Sequence, residues 1–148
     1  IEYPELLSYG RPRLLGYPLE SVIAEKFEAM VDLGTVNTRM KDFYDVWRLS
    51  KHHRFEGSWL SAALKATFER RGTPVPEERP EALTEAFLEF GYKQTQWTSF
   101  LEKTRLDASP SLADVLSDLG DFLLPPAQAV ARGETLSAEW VEGGPWSS

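Results

Sequence analysis

No cysteine occurs in the 148 residues. That excludes a disulfide framework, a thiolate zinc site and a thiol nucleophile, and it fits a reducing, cytoplasmic setting. Histidine is nearly as scarce. His52 and His53 are the two present, and adjacent residues point apart on a helix, so they cannot share a metal as an i, i+4 pair does. No metal-ligating set is therefore expected. No apolar run approaches the ~20 residues of a membrane helix; the longest, around Phe122-Leu123-Leu124, stops at Pro125-Pro126. No basic region precedes an apolar stretch at the start, so no signal peptide is read and no membrane partner is expected. A Ser-His-Asp set and a phosphate-binding glycine loop are also missing. Positive charge is in short supply: 16 Lys and Arg stand against 23 Asp and Glu, a net charge of −7. Such a surface repels nucleic-acid phosphate unless cations gather locally.

What is present suits one globular domain. Hydrophobic residues make up 42% and charged residues 26%, an ordinary balance for a packed core at this length. Residues 1–17 carry turn formers (Pro4, Gly10, Pro12, Gly16) and read as a non-helical leading segment with a short extended or β piece. From Pro18 the period becomes helical: Leu19, Val22, Ile23, Phe27, Met30 and Val31 recur on one face, with Pro18 at a first helical position and Gly34 as a stop. A second helix is predicted from Asp42, burying Phe43, Val46, Trp47 and Leu49. A third runs from Ser58 to Gly72. After the proline-rich connector 73–80, a fourth carries Leu83, Ala86, Phe87 and Phe90 as far as Gly91. A further piece carries Trp97, Phe100 and Leu101. The last helix starts near Pro110 and should kink or end at Pro125-Pro126. The expected fold class is mostly α: a helical bundle over 18–135, with an irregular tail over 136–148. Strand is expected only in the first 17 residues, and Trp59, Phe68, Phe87, Phe90, Trp97 and Phe100 are assigned to the core.

One segment, Lys26 to Asp45, carries residues arranged for chemistry. On a wheel of 100° per residue, Lys26 falls within the apolar arc, in line with Val22 and Met30. Ser21, Glu25, Glu28 and Asp32 fill the solvent arc. A lysine on that side is costly unless it is paired or borders a wet cleft. It either snorkels or forms a structural ion pair, or it serves a site. Downstream stands Arg39-Met40-Lys41-Asp42-Phe43-Tyr44-Asp45. If the second helix starts at Phe43, Asp42 is its N-cap and Asp45 sits one turn in, and both then complement the helix dipole. The alternative is that Asp42 or Asp45 meets Lys26 at a cleft mouth, with Asp45 the better placed. There a carboxylate can take a proton or hold a metal, and a lysine can neutralise phosphate. Arg11, Arg13, Arg39, Lys41, Arg48, Lys51 and Arg54 make the first third more basic than the rest. This is either an RNA-facing patch or scattered solvated charge.

Tyr17-Pro-Leu-Glu-Ser-Val-Ile-Ala-Glu-Lys-Phe-Glu-Ala-Met30, Arg39-x-Lys-Asp-Phe-Tyr-Asp45 and the terminal Trp140-Val-Glu-Gly-Gly-Pro-Trp146 together resemble the later motifs of the AbiEii/AbiGii toxin nucleotidyltransferases. These are the toxin half of bacterial type IV toxin–antitoxin pairs, also linked to phage defence. The resemblance implies a polymerase-β-type nucleotidyltransferase using Mg2+ and a nucleoside triphosphate. Its partners would be a nucleotide, tRNA or another RNA as acceptor, and a cognate antitoxin. It implies Lys26 as a phosphate contact, Asp45 as the acidic catalytic partner with Asp42 the runner-up, and Arg39 and Lys41 lining the cleft for nucleotide or RNA.

The family's core carries Gly-Ser followed by Asp-x-Asp. The Gly57-Ser58 of this chain leads into a helix and no Asp-x-Asp follows it. The chain opens on Ile1 rather than Met, and the expectation is that an N-terminal core lies outside it and completes the site. On this reading the chain alone is inactive. The other reading, from a different class, is a non-catalytic helical module that docks an antitoxin or another protein.

Overall fold

Pro18 lacks the N–H that a first helical residue could not use, and its ring presets the helical φ. Helix α1 accordingly spans Pro18–Leu33 and passes into a 3-10 turn at Gly34–Val36. The computed structural model describes residues 18–104 and 110–148. The leading segment 1–17, with its expected strand, lies outside them. Leu19, Ile23, Ala24, Phe27 and Met30 form the buried face of α1. Glu28, assigned above to the solvent arc, is instead 5% exposed. The Thr73 hydroxyl donates to its carboxylate at 2.7 Å, which offsets the cost of burial.

Helix α2 spans Met40–His52, so it begins two residues before the expected start. Asp42 therefore lies in the first turn and is not the N-cap. The cap residue is Arg39, whose side chain makes no capping bond. The turn is fixed instead by Asn37, whose Oδ1 accepts the Arg39 N–H at 2.7 Å. Strand β1, Phe55–Glu56, leads into helix α3, Gly57–Arg71. Gly72 closes α3 at φ 71°, and the Thr73 N–H reaches the Phe68 carbonyl at 3.0 Å, a Schellman ending that needs a left-handed residue.

The fourth helix read from the sequence is two pieces, a 3-10 turn at Glu81–Leu83 and helix α4 at Glu85–Glu89. Thr84 separates them. Its hydroxyl donates to the Glu81 carbonyl at 2.7 Å, a local bond that competes with helix propagation. Phe87 within α4 is fully buried, while Phe90, just past its end, is 48% exposed and not part of the core. Helix α5 spans Lys93–Thr104 and buries Trp97.

Helix α6, Leu112–Ala131, is N-capped by Ser111, whose hydroxyl accepts the Asp114 N–H at 3.0 Å. It continues past Pro125 and Pro126 and does not end there. The tail supplies the reason. Pro126 has no N–H for the carbonyl of Phe122, four residues earlier. The Trp146 indole N–H donates to that carbonyl at 2.9 Å, and its ring stacks on Phe122 at 6.0 Å and 5°.

Within residues 136–148, read above as an irregular tail, two short strands form. Strands β2 (Glu139–Trp140) and β3 (Trp146–Ser147) join β1 in an antiparallel sheet of order β1-β2-β3, pairing Phe55 with Trp140 and Trp140 with Trp146. This places strand outside the first 17 residues. The same tail closes the C-terminal end of α2. The Trp140 indole N–H (2.7 Å) and the Gly143 N–H (2.9 Å) both reach the Ser50 carbonyl, one of the acceptors a helix end leaves open. Gly57 is structural here, because a Cβ would meet the Leu136 carbonyl at 2.6 Å.

The architecture is mostly α. α1 lies chiefly against α3, and α6 packs on α2 and α3. Phe27 meets Phe68 at 5.8 Å, Phe43 meets Phe87 at 5.2 Å and Phe55 meets Phe122 at 5.3 Å. Among the described residues no helix is long and apolar enough to cross a membrane.

Trp146→Phe keeps a ring on Phe122 but strands its carbonyl. It should lower unfolding stability by about 1–3 kcal/mol in a denaturant titration. Adding Pro126→Ala supplies an N–H to the same carbonyl and should recover much of the loss. No loss in the single variant, or no recovery in the double, would show that the indole is not the substitute donor.

Candidate functional site

Lys26 leaves α1 on the flank of its buried face, with Ile23, Phe27 and Met30 fully covered beside it. Its side chain is 20% exposed and its ammonium lies 2.8 Å from Asp42 and 3.4 Å from Asp45. Both carboxylates read from the sequence therefore converge on it. Their order is the reverse of that expected: Asp42 is the nearer, because the early start of α2 puts it on the first turn, facing α1. Asp45, one turn on, is shared with Lys41 at 2.7 Å. Lys41 itself is largely exposed, and this i, i+4 pair straps it along α2.

Burial of Lys26 works against its charge. The hydrogen bond it donates to Asp42 and the charges of Asp42 and Asp45 more than offset that, so its pKa is raised above the ordinary 10.5. The group is a cation at neutral pH. An ammonium has three N–H donors; two are directed at the carboxylates, and one remains for another acceptor.

A cavity of about 170 Å³ opens beside this cluster, lined by Lys26, Asp42, Arg39, Glu25, Glu28, Ala29 and Arg71. Arg71, in the last turn of α3, contacts Glu25 at 2.8 Å and Glu28 at 3.6 Å. Arg70 also bonds Glu25. Burial raises the Glu25 pKa, but the hydrogen bonds and charges of Arg70 and Arg71 outweigh it, so it lies below its usual value. Sequence reasoning missed Glu28 and Arg71. Arg71 becomes visible only once α3 is known to lie on α1; the one usable signal was Gly72, which ends α3 just beyond it.

A larger groove of about 610 Å³ adjoins the cluster. Arg39, Lys41 and Asp42 form one side, and Gln96, Phe100 and Lys103 of α5 the other. Arg39 and Asp42 border both spaces. Arg39 and Lys41, the predicted cleft cations, thus stand at this groove. Two other cations of the wider basic set are paired with carboxylates. Lys51 is paired with Asp118 at 3.1 Å and Arg54 with Glu139, while Arg11 and Arg13 lie outside the described residues.

The donor set does not fit a divalent metal. Asp42 and Asp45 are both in contact with ammonium groups, and among the described residues no group of three His, Cys, Asp or Glu forms a metal cluster. Mg2+ needs near-octahedral oxygen ligation. What the arrangement offers is a fixed cation with a free donor.

A family model described as "Nucleotidyl transferase AbiEii toxin, Type IV TA system" matches residues 2–123. No curated protein and no solved structure matches the chain.

The cluster's energetics are testable separately from any chemistry. Lys26→Met should lower stability by about 1–2 kcal/mol, between the values for exposed and buried pairs. Because the folded pKa is raised, this contribution is fully present below 10.5 and is lost as pH climbs through the folded value. The stability gap between wild type and variant should hold from about pH 7 to about pH 10 and shrink above that. A gap that widens with alkaline pH would contradict the assignment.

Proposed function

The chain belongs to the AbiEii family of nucleotidyl transferase toxins from type IV toxin–antitoxin systems, and on that premise we propose that its helices supply the phosphate-handling half of a nucleotidyl transfer site. The observation that carries this reading is the Lys26 ammonium, partly buried and gripped by Asp42 and Asp45 at the edge of a cavity that Arg39 also borders. Such a group is held in position before substrate arrives, which is how charge stabilisation becomes catalysis.

In nucleotidyl transfer an acceptor hydroxyl attacks the α-phosphorus of a nucleoside triphosphate. A new O–P bond forms, the bond to pyrophosphate breaks, and the hydroxyl proton leaves to a base. Negative charge grows on the phosphate oxygens, and Lys26 offers its remaining N–H to one of them. Asp42 and Asp45 hold the ammonium in place. Asp45 is the proposed acidic partner of the reaction, with Asp42 in support. Arg39 and Lys41 attract the nucleotide or the RNA acceptor, with tRNA as one such acceptor. Mg2+ is the metal we propose for the complete reaction, held by carboxylates other than those described here. The core carrying Gly-Ser and Asp-x-Asp would bring them, and a cognate antitoxin is the expected protein partner.

The test is Lys26→Met and Lys26→Arg in the complete protein, followed by growth toxicity and transfer of labelled nucleotide. Lys26→Met should cut both by on the order of a hundredfold or more, while the melting temperature drops by only about 2–6 °C. Asp45→Asn should behave similarly. Full activity of a folded Lys26→Met protein would remove the lysine from the chemistry and favour a helical module that docks a partner.

A further inference from the structure

Three large apolar side chains stand in water among the described residues: Val36 is 63% exposed, Phe90 48% and Tyr92 79%. They are neighbours. The 3-10 turn Gly34–Val36 lies against α4, and Phe90 follows directly on α4. Lys93 joins them from below. Its buried ammonium donates at 2.5 Å to the carbonyl of Asn37, the residue after Val36, and lies 5.8 Å from the Phe90 ring centre. Ala86, exposed one turn before Phe90, extends the strip.

The rim of this strip is acidic. Glu85 and Glu89 are exposed on α4. On the other side of the turn, a groove of about 690 Å³ runs between the end of α1 and the connector 76–81. Gly34 and Thr35 form its edge, and Asp32, Glu77, Glu78 and Glu81 line it. The one cation in the lining is withdrawn: Arg79 donates to the carbonyls of Leu83 at 2.6 Å and Leu116 at 3.0 Å. Glu77 is met by Arg132 at 3.2 Å. Among the described residues no ion pair involves Asp32, Glu78 or Glu81. The turn is therefore a ridge, with free carboxylates on one side and exposed apolar side chains on the other.

Exposed apolar patches with a polar rim mark contact surfaces, and buried aromatics anchor such contacts. Charge decides the occupant. The carboxylates repel RNA and an anionic membrane alike. A second copy also carries −7, and its Lys51, Arg54, Arg70, Arg71 and Arg132 already face carboxylates. We propose that this ridge docks a segment of another protein in which an apolar side chain is flanked by Lys or Arg. The apolar residue seats on Val36, Phe90 and Tyr92, and the cations enter the groove toward Asp32, Glu78 and Glu81. The surface uses none of the residues assigned to phosphate and does not rest on that reading.

Benzoylphenylalanine in place of Tyr92 tests this in the complete protein, with irradiation in cells and sequencing of the adduct by mass spectrometry. The expected adduct is a segment of another protein in which Lys and Arg outnumber Asp and Glu. Glu78→Lys combined with Glu81→Lys should cut its yield roughly tenfold, since like charges then face each other. Glu78→Gln combined with Glu81→Gln, which removes charge without reversing it, should give an intermediate yield and keep the wild-type melting temperature. The same label in place of Lys65, exposed on α3, should not give this adduct. An adduct with RNA, with a second copy, or with a segment lacking that excess of Lys and Arg overturns the proposal. So do the absence of any adduct, the same adduct from position 65, and a yield that neither pair of substitutions changes.

Discussion

A lysine ammonium beside an apolar helix face has to meet carboxylate, and the placement of α2 against α1 is what satisfies Lys26. Its pairs with Asp42 and Asp45 link two helices that otherwise touch little, since α1 spends most of its surface on α3. The pair is only partly exposed, so it is screened less than a surface bridge. Neither carboxylate is spare. Asp42 serves Lys26, and Asp45 divides itself between Lys26 and Lys41. The cluster is therefore suited to presenting a cation and unsuited to ligating one.

Two devices far apart in sequence keep α2 in register. At its start, Asn37 receives the Arg39 N–H, while Lys93 of α5 grips the Asn37 carbonyl. At its end, Trp140 and Gly143 close the Ser50 carbonyl. The tail does this while repairing α6, whose Phe122 carbonyl takes the Trp146 indole in place of the proline N–H. The tryptophans of the C-terminus, which lies beyond the matched residues 2–123, therefore have a structural role. The tail connects the far end of α2 to the core and so steadies Asp42 and Asp45 at the near end.

Much of this was legible in the sequence. Pro18 and Gly34 bracket α1, Gly72 ends α3, and Lys26 announces itself by sitting out of place on the helical wheel. What was hidden depends on partners remote in the chain. Asp42 fits an N-cap pattern so well that the start of α2 was read too late, because the residue fixing the turn, Asn37, lies before the expected loop had ended. Pro125-Pro126 reads as a kink or end because the donor that lets the helix continue, Trp146, is remote in sequence. Glu28 read as solvated because its partners, Thr73 and Arg71, come from the end of α3. Phe90 read as core because a continuous helix was assumed where Thr84 breaks it. The strands escaped notice because two-residue strands leave no period to detect.

The central claim is that Lys26 has a donor free for phosphate while its carboxylates hold it in place. Lysine side-chain NMR on the chain, with pyrophosphate added stepwise, addresses this one atom directly. The account predicts that the Lys26 ammonium signal shifts and saturates, while Lys65, exposed on α3, stays where it is. A Lys26 signal that does not move, or moves only in step with Lys65, would contradict it.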